Sequence, residues 1–162
     1  MKRCPELQDL SREHHTALKL ALHWRRAAES GDEIKIDAAC NQAREVFEAE
    51  LLPHFREEEQ CLLPRLEALG GSAIVARTLI EHRAMHRLVR DLEIPDGDIL
   101  LRFADLLTAH VRFEERELFD AAETLIGREA PKTDLPPVAG LADGVIDTDD
   151  EEVIGVQRLA GA

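Results

Sequence analysis

Apolar side chains recur every three or four positions along four stretches of the chain, which is the spacing of one helix face. Glycine or proline lies at the end of each stretch or directly after it, as is typical of helix termini. The pattern therefore predicts four amphipathic helices that bury their apolar faces in one core. The predicted helices cover about residues 6–30, 34–69, 72–95 and 98–127.

Short segments join these stretches, so we expect neighbouring helices to run antiparallel in an all-α, up-down-up-down four-helix bundle. Pro53 lies inside the second stretch and should kink that helix or split it in two. The bundle is predicted to occupy residues 1–130. Residues 131–162 are rich in proline, glycine and acidic residues and are predicted to form a flexible acidic tail. No internal repeat is apparent.

Polar residues interrupt the apolar face of every predicted helix. One helical turn separates the members of a pair spaced four apart, so both side chains leave the same face. Burying several imidazoles and carboxylates costs on the order of several kcal/mol unless a cation balances them. Imidazole with carboxylate suits a first-row transition metal, so the sequence predicts a metal site near the bundle axis. The interrupting residues are His14, His54-x-x-x-Glu58, His82-x-x-x-His86 and His110-x-x-x-x-Glu115.

Two positions leave alternatives open. Glu115 lies five residues after His110, about 140° away around an ideal helix, whereas Glu114 lies four residues after it and is better aligned. A role for Glu115 would require a π-bulge or a side chain that reaches around the helix. In the first helix, His14 continues the apolar face better than His15 does.

Composition narrows the possible partners and the location. A formal net charge of −13 opposes binding to nucleic acid or to an anionic membrane surface. The chain has no tyrosine, which excludes a tyrosyl radical, and its three cysteines show no C-x-x-C spacing. We find no apolar leader and no apolar run of the ~18–20 residues that a membrane span needs. These features favour a cytoplasmic protein.

The order of the motifs resembles the hemerythrin family, whose members are cation-binding four-helix bundles with a non-haem di-iron centre. The likeness covers about residues 6–127. It includes Leu51-Leu-Pro-His-Phe-Arg-Glu-Glu-Glu59 and His110-Val-Arg-Phe-Glu-Glu115. A ferritin-like di-iron bundle would instead need Glu-x-x-His, which none of the seven histidines shows.

The resemblance implies two iron ions joined by an oxo or hydroxo bridge. The iron held by three histidines would be complete at six ligands, and the iron held by two would keep one open position for O2, peroxide or NO. The family pattern favours Glu115 over Glu114. The implied ligands are His82, His86 and His110 for one iron, His14 and His54 for the other, and Glu58 and Glu115 as bridges between them.

Three functions are compatible with such a centre. The first is binding of O2 or a related small ligand, for storage, delivery or sensing. The second is an enzyme that reduces peroxide or NO, and the third is iron handling or repair of iron centres. Whether the chain is an enzyme, and which redox or protein partner it meets, stays open on sequence alone.

Overall fold

The computed structural model describes the backbone of residues 5–129 and the side chains of residues 10–125, and every regular element within this part of the chain is helical. The predicted all-α class is confirmed. The predicted tail at 131–162 lies outside the described residues. The elements are α1 (Pro5–Glu29), α2 (Glu33–Val46), π1 (Phe47–Leu51), α3 (Leu52–Glu57), π2 (Glu58–Leu62), α4 (Leu63–Ala68), α5 (Ser72–Asp91), α6 (Gly97–Phe113), π3 (Glu114–Leu118) and α7 (Phe119–Glu129).

Local signals set the helix ends. After α1 the chain turns at Gly31, whose φ of +67° lies in the left-handed region that favours glycine. The Asp32 carboxylate accepts hydrogen bonds of 3.1 and 3.2 Å from backbone N–H groups in the first turn of α2. Asp96 caps α6 in the same way, at 2.8 and 2.9 Å. Such caps satisfy backbone donors that a helix start leaves unpaired.

Helical conformation runs without a break from α2 to α4, with π1 and π2 inserted between the α-helical segments. A proline follows each insertion: Pro53 lies in the first turn of α3 and Pro64 in the first turn of α4. Proline lacks an N–H group, and its ring clashes with the carbonyl four residues earlier in an α-helix. A π turn shifts the bonding by one residue and relieves that clash. Pro53 therefore does not split the helix. A wider turn accommodates it.

Buried apolar side chains form two clusters. The larger is centred on Trp24 and Phe103 and draws on α1, α2, α3, α5 and α6. The smaller is centred on Leu66 and Phe119. Along α1 and α5 the chain meets the smaller cluster first, and along α2–α4 and α6–α7 it meets the larger one first. In each case buried histidines and glutamates lie between the two clusters. We call them the polar layer: His14, His54, Glu58, His82, His110 and Glu114.

Helix contacts bring the polar layer together. α1 packs on α2 and α6, α5 packs on α6 and α4, and α4 packs on α7. None of the helices in residues 5–129 has the length and apolar character needed to cross a bilayer.

Candidate metal centre

Six charged or titratable side chains make up the polar layer, and all six are buried. Two come from the segment α3–π2, two from α6–π3, and one each from α1 and α5. The carboxylates among them are fully shielded from solvent, with exposed fractions of 0%. The six are His14, His54, Glu58, His82, His110 and Glu114.

The six residues form two overlapping groups that share both carboxylates. In the first group, Nε2 of His14 lies 3.0 Å from Oε2 of Glu114, and Nε2 of His54 lies 3.4 Å from Oε1 of Glu58. Within each group the potential ligand atoms lie within 4.8 Å of one another. Ligands bound at ~2.0–2.2 Å span at most about 4.4 Å across a metal ion, so each group is close to a coordination sphere.

The second group has the same form. Nε2 of His110 lies 3.0 Å from Oε1 of Glu114, and Nε2 of His82 lies 3.4 Å from Oε2 of Glu58. Each carboxylate thus offers one oxygen to each pair of histidines. This is the arrangement that two adjacent cations need in order to share bridging carboxylates.

Several of these atoms have no hydrogen-bond partner among the described residues. They are both oxygens of Glu58, both oxygens of Glu114, and Nε2 of His82 and His110. Leaving an ionised carboxylate buried and unbonded costs several kcal/mol, roughly, and native structures avoid it unless a cation or a proton compensates. The donor set of imidazoles and carboxylates therefore fits a divalent or trivalent metal ion.

Each of the four histidines points Nε2 inward and donates its Nδ1–H group to a carboxylate on the outer side. An imidazole protonated at Nδ1 carries a lone pair at Nε2, so all four lone pairs face the centre. The Nε2 atoms of His14 and His54 are 3.1 Å apart, which is repulsive unless a cation or a proton intervenes. The outer partners are Glu115 for His14 at 2.8 Å, Glu13 for His54 at 2.6 Å, Glu59 for His82 at 2.8 Å, and Glu81 for His110 at 2.8 Å.

Two phenyl rings hold histidine rings in place. Phe55 stacks on His82 with ring centroids 3.9 Å apart and planes inclined by 12°. Phe119 stacks on His14 at 5.2 Å and 6°. A stacked ring on one face and a hydrogen bond at Nδ1 together restrict rotation of the imidazole, so Nε2 keeps its inward direction.

A cavity of about 320 Å³ adjoins one side of the polar layer. This is roughly ten times the ~30 Å³ that a water molecule occupies in the liquid, so a small ligand has room to reach the layer. Its wall includes His54, His110 and Glu114, apolar groups such as Trp24 and Leu107, and acidic side chains. The cavity thus joins a charged inner end to apolar sides.

The sequence of the chain as a whole indicates its family. The sequence profile of the hemerythrin HHE cation-binding domain matches residues 6–122, more than two thirds of the chain. The chain belongs to this family. No curated protein and no solved structure gives a significant match. The resemblance inferred from the motifs is confirmed, and the buried cluster of histidines and glutamates fits a cation-binding domain.

His14, His54, Glu58, His82 and His110 are brought together in this hemerythrin-family chain, and His86 is not. His86 is exposed, and its ring packs edge-on against Phe47 with centroids 4.9 Å apart. At 100° per residue, Met85 lies about 60° to one side of His82 and His86 about 40° to the other. The helix buries the side that carries Met85 and Val89, so His86 faces outward.

Glu115 also differs from its predicted place. Glu114 is buried among the inner groups, whereas Glu115 lies behind His14 as the hydrogen-bond partner of Nδ1. The π-helical segment that would rotate Glu115 inward is present, but π3 begins at Glu114 and not before it. The turn from His110 to Glu114 is therefore α-helical, and the residue four positions on keeps the inward direction. His14 is buried and His15 is exposed.

Sequence reasoning missed the outer carboxylates, although a signal for them exists. Each is the immediate neighbour of an inner residue, in the pairs Glu13-His14, Glu58-Glu59, Glu81-His82 and Glu114-Glu115. The order Glu-His, then His-x-x-x-Glu-Glu, occurs twice along the chain. The expectation of no internal repeat therefore overlooked a repeat of site residues.

The inner groups shift one another's affinity for protons. Burial lowers the pKa of His54, but the negative Glu58 carboxylate beside it outweighs burial and raises that pKa to about 9. Burial likewise lowers the pKa of His110, and the charge of Glu114 outweighs it, giving a value of about 9. Burial raises the pKa of Glu114, yet the neighbouring histidines hold it well below its usual value. Without a metal, protons on His54 and His110 therefore offset buried negative charge at neutral pH.

We expect the metal-free protein to lose stability as the pH rises from 6.5 to about 9. A histidine whose folded pKa is raised from 6.5 to about 9 stabilises the fold fully below 6.5 and ceases to do so above 9. His54 and His110 together should change the free energy of unfolding by on the order of a few kcal/mol. Urea unfolding in the presence of a chelator, followed by circular dichroism at several pH values, measures this. A free energy that stays level across the interval would contradict the expectation.

Proposed function

We propose that this chain holds two iron ions in the polar layer and binds O2 or a related small ligand there. The observation that carries the proposal is the set of unbonded carboxylate oxygens of Glu58 and Glu114, each facing an inward Nε2 atom. Two cations would satisfy both carboxylates and all four histidines at once. His14 and His54 would hold the first ion, and His82 and His110 would hold the second.

The ligand set differs from the one that the family resemblance implied. Each position has two imidazole nitrogens and one oxygen from each of the two shared carboxylates. An ion that prefers six ligands would keep up to two positions open at each site, so the two ions would be alike. The implied scheme instead left a single open position, on one iron only. In this proposal Glu114 would take the shared position that the resemblance gave to Glu115, and His86, which lies outside both groups, would not serve as a ligand.

The donor set supports iron as the metal, and the cavity beside it supports a small ligand. Imidazole with carboxylate suits iron, and the sequence lacks the thiolate sets that select other metals. Bound iron would supply open coordination positions and a change of oxidation state. The protein's own contribution is the cavity, whose apolar wall of Trp24, Leu51 and Leu107 would limit access of water. The alternation of the two apolar clusters along the four helices supports the antiparallel bundle that would frame this site.

Loading the chain with Fe²⁺ without oxygen, followed by exposure to O2, tests the proposal. We expect about two irons per chain, because metal binding stabilises the folded site. We also expect an optical change on exposure to O2 that reverses when O2 is removed. The same chain loaded with Zn²⁺ is the control and should show no optical change. One iron per chain would contradict the two-metal centre. Irreversible oxidation with turnover of peroxide or NO would replace ligand binding with catalysis.

A further inference from the structure

We infer that Glu13, Glu59, Glu81 and Glu115 form a closed ring of positioning carboxylates around the metal centre. Each accepts the Nδ1–H group of one inner histidine at 2.6–2.8 Å. The inference rests on the proposed two-metal function and concerns residues that do not themselves bind metal. A carboxylate behind a ligand histidine fixes its tautomer and orientation and raises its basicity.

The ring closes because each carboxylate serves the next helix along the chain. Glu13 of α1 holds His54 of α3, and Glu59 of π2 holds His82 of α5. The other two links continue the circuit, from Glu81 on α5 to His110 on α6 and from Glu115 on π3 back to His14 on α1. The first helix is therefore tied to the second, the second to the third, the third to the fourth, and the fourth to the first.

Helix geometry explains why, of two residues adjacent in sequence, one lies in the polar layer and the other supports a histidine from outside. Successive residues on a helix point about 100° apart. When one of them faces the bundle axis, the other faces sideways toward an adjacent helix. Glu58 and Glu59 show this division: Glu58 is fully buried at the centre, and the Glu59 side chain is 40% exposed beside His82. The two roles thus follow from one step along the chain.

The exposed fractions of the four side chains predict how strongly each carboxylate acts on its histidine. Their side chains are 15% exposed at Glu81, 27% at Glu115, 40% at Glu59 and 58% at Glu13. Solvent screens an exposed charge, so Glu81 should influence its histidine most and Glu13 least. Each metal position would have one less exposed and one more exposed supporting carboxylate, namely Glu115 and Glu13 for the first and Glu81 and Glu59 for the second.

Zn²⁺ affinity of four single alanine variants, measured by competition with a chromophoric chelator, tests the ring. We expect Glu81→Ala and Glu115→Ala each to lower the affinity for one of the two Zn²⁺ ions by roughly 10–100-fold. This is the range typical of residues that hydrogen-bond to metal ligands. Glu59→Ala and Glu13→Ala should weaken it less, in that order. Glu45→Ala is the control, because Glu45 is exposed on α2 and its loss removes one carboxylate away from the polar layer and its cavity.

Proton NMR of the Zn²⁺-loaded protein distinguishes a positioning role of each carboxylate from a general effect on stability. Each hydrogen-bonded Nδ1–H should give a downfield signal, and each variant should shift or remove the signal of its own histidine only. Glu81 also pairs with Arg77 at 2.8 Å, so Arg77→Gln checks the loss of that ion pair and should leave the His110 signal in place.

The outcomes separate the ring from the proposed function. If the unaltered chain binds two Zn²⁺ ions and the four variants match Glu45→Ala in affinity, the ring has no positioning role. If the unaltered chain fails to bind two ions, the proposed function fails, and the four Nδ1–H signals of the metal-free chain still report on the ring. Variants that disturb every histidine signal alike would also overturn the one-to-one pairing.

Discussion

Replacement of Glu114 by glutamine is expected to abolish binding of a metal pair. The Glu114 carboxylate is fully buried, and its two oxygens face Nε2 of His14 and Nε2 of His110 at 3.0 Å. A neutral amide keeps the size of the side chain but removes a charge that both ions would share. Iron or zinc content should fall from about two ions per chain to one or fewer, since metal affinity depends on deprotonated, charged ligands.

Glu115→Gln is the matched control for this variant, because it removes the same charge one residue away. Glu115 lies behind His14 and should only weaken binding at the first position. Circular dichroism of both variants checks that the helices are retained. If Glu115→Gln lost the metal pair and Glu114→Gln kept it, the bridging role would belong to Glu115, as the family resemblance first implied.

The second large effect is expected at His82. We predict that His82→Gln reduces the metal content to about one ion per chain, because the second position would keep a single imidazole, whereas the first would keep both of its imidazoles. The ring of His82 also stacks on Phe55 at 3.9 Å, so a modest fall in melting temperature should accompany the loss. Elemental analysis after loading and dialysis measures the content.

His86→Gln makes the comparison decisive, because His86 lies one helical turn further along α5 and is exposed. We expect that variant to keep two ions per chain and an unchanged spectrum. Loss of iron from His86→Gln, with retention in His82→Gln, would show that α5 presents its other face to the metals.

Helix periodicity was sufficient to predict the four helices and most of the buried polar layer. His14, His54 and Glu58 continue apolar faces that are regular enough to identify their direction, and the structure buries all three. His86 shows the limit of the method. A spacing of four residues states that two side chains share a face, but not how far that face drifts from the axis over the next turn.

The outer carboxylates depend on tertiary structure and could not be derived from periodicity. Glu59 and Glu81 look like ordinary solvated residues until the rotation of the neighbouring helix is known. The π-helical segments also differ in how far the sequence predicts them. A proline marks the end of π1 and of π2, so Pro53 and Pro64 give a local signal. No proline follows π3 closely. Only the spacing from His110 to Glu115 pointed to a π-bulge in this region, and the π segment begins at Glu114 instead of before it.

The doubled order of site residues has a consequence for how such a centre can be assembled. One hairpin of two helices supplies Glu-His and then His-x-x-x-Glu-Glu, and a second hairpin supplies the same set. In both, a five-residue π segment begins at the shared glutamate, at Glu58 and at Glu114. Two copies of a single hairpin related by a twofold axis would build the same six-residue interior. A minimal dimeric peptide could therefore reproduce this centre, with the loop lengths free to vary.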